Sequence, residues 1–249
     1  MTDTLTKHQL REIREMLLEF RSYLDSNHVA LDESVHQMRH INEGGKIVRV
    51  NVHDGALISM LTSSVEVYPS QYVGDAPLLG QEGEVFGNLF GTVEEDDDCI
   101  TYEVLGTSVT QTYLIRTEEA CCPSSHHLMK IRQIADSIPG LTCLGRFHSH
   151  PYPSSQFTTL WNSHWSPQDY ISTFASVREY RVPPLEMIFA LAALQSEKKR
   201  QPVIKPSYIV SYCKNFKFVL RSFIFDVNKR TLDDVAVLRC QLAEKIRNW

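Results

Sequence analysis

No stretch of this chain is long and apolar enough to cross a membrane, and no cluster of lysine and arginine forms a basic block. The first absence argues against a membrane-embedded protein. The second argues against nucleic acid as a partner, as do a net charge of −5 and a pI of about 6.1. The six cysteines lack the spacing of a disulfide framework, and two of them, Cys121 and Cys122, are adjacent. The N-terminus is polar and patterned as a helix rather than as a signal peptide. All six thiols are therefore expected to be reduced and the protein cytoplasmic. Internal repeats and low-complexity tracts are also missing. What remains is ordinary globular material: 249 residues, 43% hydrophobic and 22% charged, enough for one domain with an extension.

Residues 5–24 space Leu10, Ile13, Leu17, Phe20 and Leu24 at three- and four-residue steps, which predicts an amphipathic helix. A shorter helix is expected over 31–41, before the Gly44-Gly45 break, so 1–45 reads as a helical extension and 46–249 as the main domain. That domain should open with a strand over 47–52 and a helix over 54–67, followed by a loop over 71–83. Strands are expected over 85–93, 99–105 and 107–116, with the acidic run 94–98 as a solvated hairpin tip. Residues 121–124 read as a loop into a helix over 124–137 that buries Leu128, Ile131, Ile134 and Ala135. The apolar run 185–194 has the length of a strand, 195–206 reads as a charged loop, and 207–212 with 216–225 as a hairpin turning at Lys214-Asn215. A helix over 231–249 should close the chain, with Leu232, Val235, Leu238, Leu242 and Ile246 on one face. Strands interleaved with helices argue for an α/β fold with a mixed sheet and flanking helices.

The chemistry concentrates in Gly145-Arg-Phe-His-Ser-His-Pro151. A preceding apolar run, 141–144, sets this segment in a strand, where side chains two apart share a face. His148 and His150 therefore converge while Ser149 turns away. Downstream, Ser166-Pro167-Gln168-Asp169 is a helix start, with serine as N-cap, proline at N1 and an acid at N3. A carboxylate in a first helical turn is held anionic by the macrodipole, which suits a metal ligand. His148, His150 and Asp169 would make a three-ligand zinc site with its fourth position open, the catalytic arrangement. Cysteines and histidines also gather at Cys121, Cys122, His126 and His127, but without the separated spacing of a structural zinc site.

With Glu84-Val-Phe-Gly-Asn-Leu-Phe-Gly91 upstream, these segments resemble the JAMM (MPN/JAB) metalloproteases, whose signature is a glutamate, then His-Ser/Thr-His-Pro, then Ser-x-x-Asp. The resemblance spans roughly residues 46–226. It implies a mixed, mainly antiparallel sheet flanked by helices, the MPN/JAB, cytidine-deaminase-like fold. It also implies zinc on His148, His150 and Asp169, Glu84 as general acid/base, and Ser166 as the oxyanion-stabilising hydroxyl. Glu82 is a rival two positions from Glu84, and the Gly-x-Leu-x-Gly register favours Glu84. One departure is plain: Pro151 to Trp165 place fifteen residues between the second histidine and the serine, where the family usually has seven.

The implied activity is hydrolysis of an isopeptide or peptide bond after the C-terminal tail of ubiquitin or a ubiquitin-like protein, by deconjugation or precursor processing. The arrangement is most similar to bacterial stand-alone members. Some of these accompany E1- and E2-like conjugation proteins in anti-phage systems, so such proteins are expected partners. Two alternatives remain at this level: a non-catalytic MPN scaffold, and a zinc hydrolase of a small-molecule amide. Tyr152, Phe157, Leu160, Trp161 and Trp165 make the long insertion too aromatic for an ordinary solvated loop. It either pins itself to the protein or walls the cleft.

Overall fold

A computed structural model describes residues 46–69, 72, 83–110, 113–116, 121–123, 125–154, 163–195, 200–226 and 229–245. The expected N-terminal extension, 1–45, lies outside the described residues, as does the expected helix over 31–41 within it.

The main domain opens as its sequence predicts. Strand β1, Ile47–Val52, leads into helix α1, Asp54–Glu66, which buries Ala56, Leu57 and Met60 at helical spacing. β2, Phe86–Glu95, and β3, Cys99–Val109, form the expected acidic hairpin. At its tip the Asp96 carboxylate accepts the backbone N–H groups of Asp98 and Cys99 at 3.0 and 2.6 Å. Close approach explains two glycines of β2. A Cβ on Gly87 would fall 2.4 Å from the Phe147 ring, and one on Gly91 would fall 1.7 Å from the Glu103 carbonyl oxygen.

The next elements are β4, Tyr113–Arg116, β5, Cys121–Pro123, α2, Ser125–Asp136, and β6, Thr142–Tyr152. Helix α3, Pro167–Ser176, continues as a 3-10 turn, Val177–Glu179, into β7, Leu185–Ala193. β8, Val203–Lys205, β9, Tyr208–Cys213, and β10, Phe216–Asp226, follow. The turn between β9 and β10 is at Lys214, whose φ is +51°. The chain ends with β11, Thr231–Asp234, β12, Val237–Arg239, and the short helix α4, Gln241–Lys245.

Among the described residues the main sheet runs β12-β1-β3-β2-β6-β7-β10-β9-β8, with β11 also paired to β10. The β1–β3, β1–β12 and β6–β7 pairs are parallel and the other pairs antiparallel. The fold is thus a mixed α/β one dominated by a mixed, mainly antiparallel sheet. Among the described residues the flanking is sparser than expected, because helices there are few and the sheet curls until its ends nearly meet. There the Leu238 N–H of β12 donates to the Pro206 carbonyl between β8 and β9, at 2.5 Å. Tyr102, Phe147, Phe189 and Phe218 fill the core, with the last two rings stacked at 5.1 Å.

Several elements differ from expectation. The helix foreseen over 231–249 is instead two strands and a helical stub. Leu232, Val235 and Leu238 are buried as expected, but Leu232 and Leu238 lie in strands and Val235 in the link between them. Three-residue spacing fits a bent strand as well as a helix, and β10 and β1 offer unpaired edges that 231–239 completes. Residues 246–249 lie outside the described set. The strand foreseen over 107–116 is divided: Thr107–Val109 extends β3 along Leu89–Gly87, while Tyr113–Arg116 pairs with β5, where a loop was expected. The expected loop over 195–206 contains β8, which pairs with β9. Helix α2 buries Leu128 and Ala135 as expected but departs from its predicted face at Ile134 and Arg132. Ile134 is 64% exposed, whereas Leu128, Arg132 and Ala135 point inward. The Arg132 guanidinium takes the apolar residue's place because it finds partners there: the Tyr180 hydroxyl at 2.8 Å, the Asn88 side-chain oxygen Oδ1 at 3.3 Å and the Glu179 carboxylate.

Candidate metal centre

β6 lies inside the sheet between β2 and β7, so its alternate side chains look onto one shared face. Arg146, His148, His150 and Tyr152 occupy that face. The two imidazole Nε2 atoms are 2.9 Å apart. Ser149 points the other way and is fully buried. Its hydroxyl accepts the Val85 N–H at 2.9 Å and its own N–H donates to the Val85 carbonyl at 2.8 Å. This double link fixes the chain just before β2 and sets Glu84 beside the histidines. Glu84 is buried, with Oε1 3.9 Å from His150 Nε2. It precedes the strand rather than opening it. Its rival Glu82 lies outside the described residues.

Asp169 arrives from the first turn of α3 through the capping box its sequence predicts. The Ser166 hydroxyl accepts the Asp169 N–H at 3.2 Å. In return, Asp169 Oδ2 accepts the Ser166 backbone N–H at 2.6 Å and lies 2.7 Å from the Ser166 hydroxyl. Oδ1 is left to face the histidines, 3.4 Å from His148 Nε2. Burial opposes ionisation of this carboxyl, but the His148 ring and the Ser166 donors outweigh it and hold Asp169 well below the usual carboxylate range.

Sequence reading missed two residues of this site. Glu186, on β7, places Oε1 2.9 Å from His148 Nδ1, and Oε2 accepts from Arg146 Nε at 2.6 Å. The available signals were a lone acid inside the apolar run 185–194 and an arginine two positions before His148, on the same strand face. Burial disfavours a charged His148 ring, yet Asp169 on one nitrogen and Glu186 on the other push its pKa well above the ordinary value. Tyr152 completes the face, its hydroxyl 3.5 Å from His150 Nδ1. Burial, then the charges of Glu84 and Asp169, raise its pKa to about 12, so the phenol keeps its proton at neutral pH.

The donor set fits a metal ion. One ligand atom from each of His148, His150 and Asp169 lies within 4.8 Å of the others. Two nitrogens and an oxygen in tetrahedral reach are donors that zinc favours. Three acidic side chains lie against the histidines: Asp169 and Glu186 at His148 and Glu84 at His150. Among the described residues no other group meets this geometry. His126 and His127 begin α2 as exposed rings 5.8 Å apart, and Cys121 and Cys122 lie in β5. The other described cysteines, Cys99, Cys143, Cys213 and Cys240, are free thiols. No helix among the described residues is long and apolar enough to cross a membrane.

The long insertion is described only at its ends. Trp165 packs against the cluster of Val177, Ile188, Phe223, Phe225 and Leu232, so this aromatic residue anchors the insertion to the protein. Phe157, Leu160 and Trp161 lie outside the described residues. No protein-family model matches the chain, and no curated protein does.

Ser166→Ala is expected to retain the metal, because the backbone N–H of residue 166 still holds Asp169 Oδ2. Loss of the cap should cost about 1 kcal/mol of stability, read as a lower melting temperature. Under the oxyanion role that the resemblance implies, loss of the hydroxyl should slow turnover by roughly a hundredfold. Normal turnover in the alanine variant would confine Ser166 to capping.

Proposed function

We propose that the protein is a zinc-dependent isopeptidase or peptidase. In this reading it hydrolyses the amide bond after the C-terminal tail of ubiquitin or a ubiquitin-like protein, in the manner of the JAMM/MPN enzymes it resembles. The observation that carries the proposal is the convergence of three distant segments: Glu84 before β2, His148 and His150 on β6, and Ser166 and Asp169 at the start of α3. Each residue that the resemblance names for a chemical role stands beside the others. The support is local to this arrangement. The curled sheet with few helices departs from the helix-flanked sheet of the family, so kinship to the MPN fold is part of the proposal.

His148, His150 and Asp169 would hold the zinc. When bound, it supplies a Lewis acid and lowers the pKa of water toward neutrality. Glu84 takes the proton of the attacking water on a carboxylate oxygen and returns it to the leaving amine. Its shielded position beside His150 keeps that proton from bulk water. The Ser166 hydroxyl, turned from Asp169 Oδ2, donates to the developing oxyanion. Ser149 fixes the segment that carries Glu84 without joining the chemistry. No covalent intermediate is needed. A cytoplasmic setting suits this reading, in which the free thiols stay reduced, and a bacterial conjugation system with E1- and E2-like proteins would supply the substrate.

Two measurements test the proposal. Metal analysis should find about one zinc per chain, the number that one three-ligand site holds. Incubation with a ubiquitin-like fusion should release the fusion partner, with phenanthroline blocking the cleavage. A zinc protein that cleaves only small amides would be a hydrolase of another class, and a metal-free protein without activity would be a scaffold.

The insertion bears on specificity. An extended tail binds by adding a strand to a sheet edge, and glycine before the cleaved bond leaves room for a narrow channel. Cleavage should therefore require small residues just before the scissile bond. Replacing residues 154–163 by a brief linker should raise KM or lower kcat while zinc stays bound. Equal cleavage after glycine and after bulky residues, or full activity of the shortened variant, would remove the insertion from substrate recognition.

A further inference from the structure

Resting on the metal-centre reading above, we infer that the buried Arg146–Glu186 pair is a positioning element for the ligands, holding His148 and Asp169 in place before any metal binds. Glu186 is fully buried and Arg146 is 4% exposed. A buried ion pair carries a desolvation cost that well-packed apolar side chains avoid, so stability alone is a poor account of it. Its connections point to another role.

The Glu186 carboxylate divides its oxygens. Oε1 meets His148 Nδ1 at 2.9 Å, while Oε2 accepts from Arg146 Nε at 2.6 Å and lies 2.8 Å from the Thr173 hydroxyl. A carboxylate at Nδ1 selects the tautomer that carries its proton there and leaves Nε2 as a bare donor to a metal. It also fixes the ring plane. The Tyr152 hydroxyl near His150 Nδ1 is neutral and 3.5 Å away, a weaker constraint than the carboxylate on His148.

Arg146 carries the link across to the third ligand. Its terminal nitrogens donate to the Asp169 backbone carbonyl at 3.0 Å, to the Ser172 hydroxyl at 2.8 Å and to the Thr173 hydroxyl. One guanidinium thus joins the strand that bears both histidines to the helix that bears Asp169 and Ser166. Glu186 attaches both to β7. Without the pair, two short segments 23 residues apart, counted from Arg146 to Asp169, keep the contact between the ligands themselves, His148 Nε2 to Asp169 Oδ1 at 3.4 Å, and the packing around it.

The test measures the zinc dissociation constant of the full chain by competition with a chromophoric chelator, at a temperature where circular dichroism shows each variant folded. Cobalt(II) loading gives a second readout, the ligand-field absorption. Glu186→Gln should weaken zinc binding by roughly 10- to 100-fold, the usual effect of losing such a partner, and should shift the cobalt bands. Since that variant strands a buried guanidinium, the double variant Arg146→Met with Glu186→Leu removes both charges, and it should weaken binding by a similar factor while staying folded. Arg132→Met is the control. It deletes the other buried guanidinium, 4% exposed and bonded to Tyr180, Asn88 and Glu179 rather than to a ligand or to Glu186, and should lower the melting temperature with zinc affinity unchanged. Wild-type zinc affinity and wild-type cobalt bands in both Glu186 variants would overturn the inference and leave the pair a structural one. A wild-type chain that binds no zinc would instead overturn the metal-centre reading, and this inference with it.

Discussion

Replacing Glu84 by glutamine is expected to leave the fold and the metal in place and to lower kcat by at least about a hundredfold, the loss that follows removal of a positioned general acid/base. Glutamine has nearly the same shape, so the buried slot beside His150 stays filled. What disappears is a group able to take a proton from water and return it to an amine. The effect should appear in kcat, because in the proposed mechanism Glu84 acts on the reacting atoms rather than on the substrate tail. Cleavage of a ubiquitin-like fusion by the metal-loaded variant provides the measurement. Near-normal turnover of Glu84→Gln together with a dead Glu82→Gln variant would move the catalytic role two residues upstream.

Loss of a ligand should be still more severe. His148→Ala or Asp169→Ala should lose most of the bound zinc and all measurable activity, since two donors do not make a closed site. The variants should differ in stability. His148→Ala leaves Glu186 Oε1 buried without its partner, an unsatisfied acceptor that costs stability even though Oε2 keeps Arg146. Asp169→Asn is the milder probe, because an amide oxygen still accepts from the Ser166 N–H and preserves the cap. It should fold like the wild type and bind zinc poorly. Metal content unchanged in all these variants would remove the zinc assignment. Adding zinc back to chelator-treated wild type should restore its activity. Thiol alkylation should have only incidental effects, because the groups that make the site are imidazoles, carboxylates and a hydroxyl.

Much of this centre is legible in the sequence itself. His148 and His150 share a face because strand side chains alternate, and no tertiary information is needed for that. Ser166, Pro167 and Asp169 specify a helix start from local chemistry alone, and the capping box forms as written. Glycines at 87 and 91 declare close packing. These features depend on residues a few positions apart, where backbone geometry permits few outcomes.

Other features depended on partners far away in the chain. Leu232, Val235 and Leu238 are spaced for a helix, yet Leu232 and Leu238 fall in strands with Val235 between them, because edges of β1 and β10 stand open to receive them. Ile134 is exposed and Arg132 buried, because Tyr180, Asn88 and Glu179 offer the guanidinium a full set of contacts that residues near it in sequence do not reveal. Glu186 looks like an interruption in an apolar strand until the parallel register of β6 and β7 sets it opposite Arg146 and within reach of His148. The sequence by itself determined the ligand types, the shared face of the histidines and the cap that carries the aspartate, because each is settled within one turn or one strand. The tertiary structure alone decided which buried charges support them and how the sheet closes, because pairing energies between distant segments outweigh local spacing.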